Sequence, residues 1–138
     1  MINSVYLLGH LGQPPELKRT KSGRRYAMLS LATSKRWREK DGTRKERTDW
    51  HRIVVWREPL VDLVEKHCEK GSRLWLEGEL AQRSWTDEAG KKHWVTEVVI
   101  SGFGGNIQLL DKRKGGGVPE PEDEDAYEGV SELERSYA

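Results

Sequence analysis

Apolar positions along this chain fall mostly in short runs with a period of two, the spacing that places alternate side chains on one face of a β-strand. The first run, Ser4 to Leu11, is rich in Val, Tyr and Leu, with Gly9 as a bulge or a point of close approach. Gln13-Pro14-Pro15 ends it, because proline donates nothing to a ladder. Leu17 to Arg25 is polar and basic, with a Ser22-Gly23 turn. Ala27 to Thr33 then alternates apolar with small polar residues, and Trp50 to Trp56 is β-branched and aromatic. With Asp41-Gly42 between them, these two runs predict a long hairpin with a mobile basic tip. Alternation on its second strand puts Trp50, Arg52, Val54 and Trp56 on one face and His51, Ile53 and Val55 on the other.

Glu58-Pro59 breaks that strand and starts one helix, about Leu60 to Glu69. Leu60, Leu63 and Val64 keep helical spacing, His67 is a candidate fourth, and Gly71 supplies the stop. Ser72 to Arg83 reads as a strand with Leu74, Leu76 and Leu80 on one face and Trp75, Glu77, Glu79, Ala81 and Arg83 on the other. Thr86 to Lys91 is a second hairpin tip and His93 to Ser101 the last long strand. In the Gly-rich exit from Gly102 to Leu110, Ile107, Leu109 and Leu110 can pack back. Five strands with one helix between the third and fourth is the element order of an OB-fold, a five-stranded Greek-key barrel. The expected class is therefore mainly β.

After Lys112-Arg113-Lys114-Gly115-Gly116-Gly117 the pattern changes abruptly. Val118 to Ala138 is acidic, with two prolines and few large apolar residues, too little to offset its ordering entropy. The expected division is an OB-fold binding domain over 1–111, then a Gly-rich linker and disordered acidic tail over 112–138. Charge sharpens it. The formal net charge of the whole chain is +1, but residues 1–117 carry +8 and residues 118–138 carry −7. A basic body attracts polyanions; a tethered acidic tail competes with them or recruits another protein.

Other classes find no support. The chain is 35% hydrophobic and 34% charged, without the run of ~18 apolar residues that a membrane span needs. The start MINSVYLLGHLG has no basic leader or cleavage site, and the single cysteine, Cys68, fits a reducing compartment. The expected location is cytoplasmic, away from membranes. His10, His51, His67 and His93 are scattered without ligand spacing, so neither metal nor cofactor is expected. No phosphate-cradling Gly-rich loop is present, and no acid pair or ordered Ser/His/Asp set supports catalysis.

The candidate chemistry is aromatic and basic. Tryptophan is ordinarily a core residue, and Trp94, beside Val95 and near Val98 to Ile100, is the strongest core or interface candidate. Trp37, Trp50 and Trp85 instead sit beside Arg, Lys or Thr at strand ends next to loops. Flat rings sharing a surface with cations can stack bases and hold phosphates. Alternation from Leu29 and Leu31 puts Trp37 on their face unless a bulge or an end of pairing intervenes. Charge runs are usually solvated faces, yet Lys35, Arg36, Arg38, Arg44 and Lys45 lie on the tryptophan hairpin, and Lys91 and Lys92 lie next to Trp85 in sequence. With Arg52 and Arg83 they are candidate phosphate contacts. Trp56 completes the candidate stacking set.

Val5-Tyr6-Leu7-Leu8-Gly9-His10-Leu11-Gly12, Leu31-Ala32-Thr33-Ser34, Trp37-Arg38, Thr48-Asp49-Trp50-His51-Arg52, Lys70-Gly71-Ser72, Glu77-Gly78-Glu79-Leu80, Trp85-Thr86-Asp87 and Thr96-Glu97-Val98-Val99 occur in order across roughly residues 2–110. This series resembles the bacterial single-stranded DNA-binding proteins, the homotetrameric SSBs. The resemblance implies binding and protection of single-stranded DNA with little sequence preference in replication, recombination and repair, with no bond made or broken. It implies base stacking at Trp37, Trp50 and Trp85, and at Trp56 where the family usually has phenylalanine. It ties His51 to subunit association and puts Trp75 near the subunit contact. Family members recruit replication and repair proteins through an acidic tail ending in Ile-Pro-Phe; the stretch Glu132 to Ala138 lacks that tip, which puts recruitment by this route in doubt and raises a phage- or plasmid-borne origin. The competing readings are an OB-fold primosome accessory protein or a structural RNA binder, a protein-interaction module whose tryptophans form an oligomer interface, and a metal-dependent nuclease.

Overall fold

Period-two patterning is realised as seven strands, with one helix: β1 (Val5–Leu11), β2 (Glu16–Arg19), β3 (Arg25–Arg38), β4 (Arg44–Val55), α1 (Glu58–His67), β5 (Arg73–Thr86), β6 (Lys92–Ile100) and β7 (Asn106–Leu109). The computed structural model describes residues 1–102 and 104–110. Within them, residues 1–32 and 50–110 form one unit and Thr33–Asp49 another. The predicted tail lies outside the described residues. No helix among the described residues is long and apolar enough to cross a membrane.

The first unit is a closed barrel. β1 pairs antiparallel with β3 (His10↔Ala32, Leu11↔Leu31) and with β5 from Val5↔Gly78 to His10↔Arg73. β3 neighbours β4, β4 runs parallel to β6 from Ile53↔Val98 to Val55↔Ile100, and β6 returns antiparallel to β5. The path β1–β3–β4–β6–β5–β1 closes five strands, with α1 between the third and fourth: the OB-fold architecture. Closure leaves Leu31, Ile53, Val55, Leu74, Leu76 and Ile100 fully buried. Gly9 is the close-approach case, since a Cβ there would stand 2.1 Å from the Ala32 carbonyl oxygen.

Two strands were invisible to the pattern. β2 pairs with β3 from Glu16↔Met28 to Arg19↔Arg25, but all four of its residues are exposed, so no apolar alternation marks it. β7 joins β5 from Leu74↔Leu109 to Glu77↔Asn106 and buries Ile107.

α1 starts and ends two residues before the predicted span. Pro59 sits in the first turn, where its missing N–H costs nothing, and Cys68 leaves the helix with extended backbone. Leu60, Val61 and Val64 are its buried residues, whereas His67 is exposed and not part of the apolar face. Arg25 of β3 anchors the helix, pairing with Glu58, Asp62 and Glu65.

A further correction concerns β5. Leu80 does not continue the Leu74–Leu76 core line; it is 50% exposed. Pairing to β1 stops at Gly78, and only β6 accompanies β5 from there to Thr86. β6 still pairs with β4 as far as Val98, the buried residue opposite Leu80, and beyond that rung β5 and β6 continue as a two-stranded ribbon. Trp94, opposite Ser84 in that ribbon, is 65% exposed and not a core residue of this chain.

The second unit holds the predicted Asp-Gly tip. Glu39 N–H donates to Thr43 O (2.7 Å), Gly42 N–H donates to Glu39 O (2.9 Å), and Asp41 Oδ1 accepts from Thr43 N–H (2.8 Å). Gly42 has φ +88°, where a side chain is strained. The Ser34 and Thr48 hydroxyls meet at 3.0 Å behind the tip. β3 does not end between Leu31 and Trp37.

Candidate nucleic-acid interface

On β4, Trp50 is 62% exposed, and its ring lies along the backbone of Gly12, where a Cβ would meet ring carbons at 2.1 and 2.6 Å. Gly12 is thus the seat of the indole. Beside it opens a depression of about 430 Å³ walled by Pro14, Lys18, Met28, Trp50, His51 and Arg52, among others. Because the ring is exposed and movable, Gly12→Ala is expected to displace it rather than unfold the barrel. Single-stranded DNA affinity should fall by a part of the ~1–3 kcal/mol that one stacked base contributes. Fluorescence anisotropy checks this, with a urea midpoint near wild type; unchanged affinity would show that the seat is immaterial.

Arg52 and Arg83 meet at one buried carboxylate. Arg52 Nε donates to Glu97 Oε2 at 2.8 Å; Arg83 donates through Nε to Glu97 Oε1 at 2.6 Å and through Nη2 to Oε2 at 3.3 Å. Glu97 is 4% exposed, while both arginine side chains are about half exposed. Burial alone would push the Glu97 carboxyl up, but the hydrogen bond and charge of Arg83, with those of Arg52, outweigh it and hold the carboxyl below its ordinary value. The two cations are therefore pinned by Glu97, with Arg52 Nη2 also 3.9 Å from Met28 Sδ, and both side chains stay about half exposed. The sequence reading missed Glu97, although an acid inside Val95 to Ile100 was the available signal.

Trp85 stands on His93, its partner across the β5–β6 register, with ring centroids 4.4 Å apart and planes 20° apart. His93 Nε2 lies 2.7 Å from Asp87 Oδ2, and Asp87 Oδ1 accepts the Lys91 N–H at 2.8 Å. The bond to His93, then that from Lys91, holds the Asp87 carboxyl below its ordinary value. The Trp85 ring is thereby propped from beneath and remains 51% exposed. Lys91 and Lys92 are both exposed, but Lys92 pairs with Thr86 and carries its ammonium 4.6 Å over the Trp94 ring, not over Trp85.

Trp56 is a different environment. Half-buried just past β4, it lies 4.5 Å from the Tyr26 ring and under the Arg24 guanidinium at 4.8 Å. Neither neighbour was anticipated. Within the second unit, Trp37 is half-buried and its indole N–H donates to Glu39 Oε1 at 2.9 Å. Lys35, Arg36, Arg38, Arg44 and Lys45 are exposed there, and Glu46 sits 3.4 Å from Arg36 Nε.

Of the residues tied to subunit association, Trp75 lies on the outer face shared by β1 and β5, opposite Leu8 and 6.2 Å from Tyr6. Tyr6 and Leu8 are 61% and 47% exposed, and Glu77 beside Tyr6 raises the phenol above its ordinary value. His51 is on β4, which neighbours neither β1 nor β5, so one protomer does not bring the two together. Among the described residues, no group of three or more His, Cys, Asp or Glu could hold a metal.

The arrangement offers rings for stacking and cations for phosphates. Comparison with known proteins agrees. Residues 2–110 match the model of the single-strand binding protein family. The chain is 44% identical over 117 residues to a single-stranded DNA-binding protein of Rhizobium meliloti, covering 84% of this chain and 67% of that one. It is 42% identical over 113 residues to one from Rickettsia typhi, covering 81% and 74%. Among solved structures, a Plasmodium falciparum SSB in complex with single-stranded DNA superposes with a TM-score of 0.74 at 36% identity, covering 80% of this chain and 97% of that one.

Proposed function

This chain belongs to the single-strand binding protein family, and from that premise we propose that it binds and protects single-stranded DNA with little sequence preference during replication, recombination and repair. The observation that carries the reading is the pair of exposed indoles, each on a built support: Trp50 on Gly12 and Trp85 on His93. Bases stack on Trp50 and Trp85, with Trp37 and Trp56 as further stacking residues; every base offers a π face, so sequence matters little. Arg52 and Arg83, aimed by Glu97, take phosphates, with Lys35, Arg36, Arg38, Arg44, Lys45, Lys91 and Lys92 as additional cations. Affinity then falls with salt as counterions are released.

The working form is a homotetramer in the bacterial cytoplasm or nucleoid. Its support is the Tyr6–Leu8–Trp75 face, an exposed apolar surface of the kind subunit contacts cover. His51 is assigned to subunit association from the family resemblance. Residues 1–111 are the binding domain and 112–138 the linker and acidic tail, which competes weakly for the basic face and is a candidate contact for replication or repair proteins.

Titration of intrinsic tryptophan fluorescence with oligo-dT at low and high salt tests the reading, with duplex DNA as control. Strong quenching by the single strand, weakened by salt, is expected. Absence of quenching would move the tryptophans to protein contacts and overturn it.

A further inference from the structure

Beyond the Leu80–Val98 rung, β5 and β6 leave the barrel as a ribbon, and their register fixes what each face carries. Directly opposed residues of an antiparallel pair point to the same side. Arg83, Trp85, His93 and Val95 therefore share one face. Ser84 and Trp94 share the other, flanked by the pairs Gln82–Thr96 and Thr86–Lys92. The first face belongs to the site described above; the reverse face has no role in it beyond the Lys92 cation.

On that reverse face Trp94 is 65% exposed, more than Trp50 or Trp85, and Lys92 Nζ stands 4.6 Å over its ring. The residues around the pair are hydroxyls and an amide, with no carboxylate from the Gln82–Thr96 rung to the Thr86–Lys92 rung. We propose that Trp94 and Lys92 form a second stacking platform for single-stranded nucleic acid, so that a strand crossing the ribbon edge engages both faces. The ring takes a base and the ammonium takes a neighbouring phosphate.

Charge and surroundings select this occupant over a protein. A protein contact needs a contiguous apolar core, as Tyr6, Leu8 and Trp75 provide on β1 and β5. Trp94 instead stands alone in a polar, cationic field; the nearest exposed apolar residue on its face, Leu80, lies two rungs back with Gln82 and Thr96 between. An ammonium with no carboxylate on these rungs of its own face suits a polyanion.

The inference rests on single-stranded DNA binding by the whole chain, and the experiment separates the two. Wild type, Trp94→Ala, Trp94→Phe and Lys92→Gln are titrated with a long oligo-dT, with urea midpoints and sedimentation mass recorded. Trp94→Ala should weaken binding about 5- to 150-fold with unchanged midpoint and mass, and Trp94→Phe should recover part of the loss. Lys92→Gln should reduce the slope of log affinity against log salt by about 1. Wild-type affinity in Trp94→Ala, with wild type itself binding, would overturn the second platform and leave the proposed function standing. A change in sedimentation mass would make Trp94 a subunit contact and also overturn it. If wild type bound no oligo-dT, the functional reading itself would fall.

Discussion

Replacing Arg52 and Arg83 together by alanine is expected to destabilise the barrel by on the order of 3–5 kcal/mol, before any effect on DNA can be read. Both are candidate phosphate contacts, and as half-exposed arginines they look expendable. Glu97 is not exposed, however, and its two carboxylate oxygens accept three hydrogen bonds from the pair. Taking both arginines away strands a carboxylate between β4, β5 and β6 with no cation to offset its lost hydration. Adding Glu97→Gln to the double variant should recover much of the loss, because a neutral amide costs far less to bury than a charge. Urea unfolding of the three proteins at neutral pH decides the matter, and a double variant as stable as wild type would show that the cluster is ornamental.

The pH dependence carries the opposite sign in the two proteins. In wild type the Glu97 carboxyl is held below its ordinary value. Its contribution is present above the unfolded value and is lost as pH falls through the lower folded one. In Arg52→Ala/Arg83→Ala, burial acts alone and raises the folded value. That variant is then penalised most at neutral pH and recovers stability on acidification toward about 4.5, the reference carboxyl value. Wild type should lose stability over the acid range while the double variant regains some. Parallel profiles would mean that Glu97 titrates alike in both.

These dependences explain what was legible in the sequence. Short-range periodicity located all five barrel strands and the helix, since each buries one face against a common core. It could not tell where the barrel ends, so Leu80 and Trp94 were placed by phase alone, although β5 outruns β1 at Gly78 and β6 is paired with β4 only from Val98 onward. Fully exposed β2 carries no alternation to read. The Arg52–Glu97–Arg83 cluster joins residues up to 45 apart in sequence, and no spacing rule signals such a contact. The Trp85–His93 stack was within reach, because the Asp87 to Lys91 turn fixes the register that opposes them.

The largest effect on function is expected from Trp50→Ala combined with Trp85→Ala. Both rings are more than half exposed, so removing them empties no core and should leave the urea midpoint nearly unchanged. Each stacked base is worth about 1–3 kcal/mol, so the pair should weaken single-stranded DNA binding by about 30-fold to more than 10⁴-fold. Trp56 provides the internal contrast. It is half-buried against Tyr26 and capped by Arg24, so Trp56→Ala should lower stability as well as affinity. Comparing anisotropy titrations with urea midpoints across these variants separates a ring that serves DNA from one that also serves the fold. If the Trp50/Trp85 double variant kept its affinity, the stacking surface would have to be sought at Trp37, Trp56 or Trp94. If it changed sedimentation mass instead, the exposed indoles would belong to a protein interface.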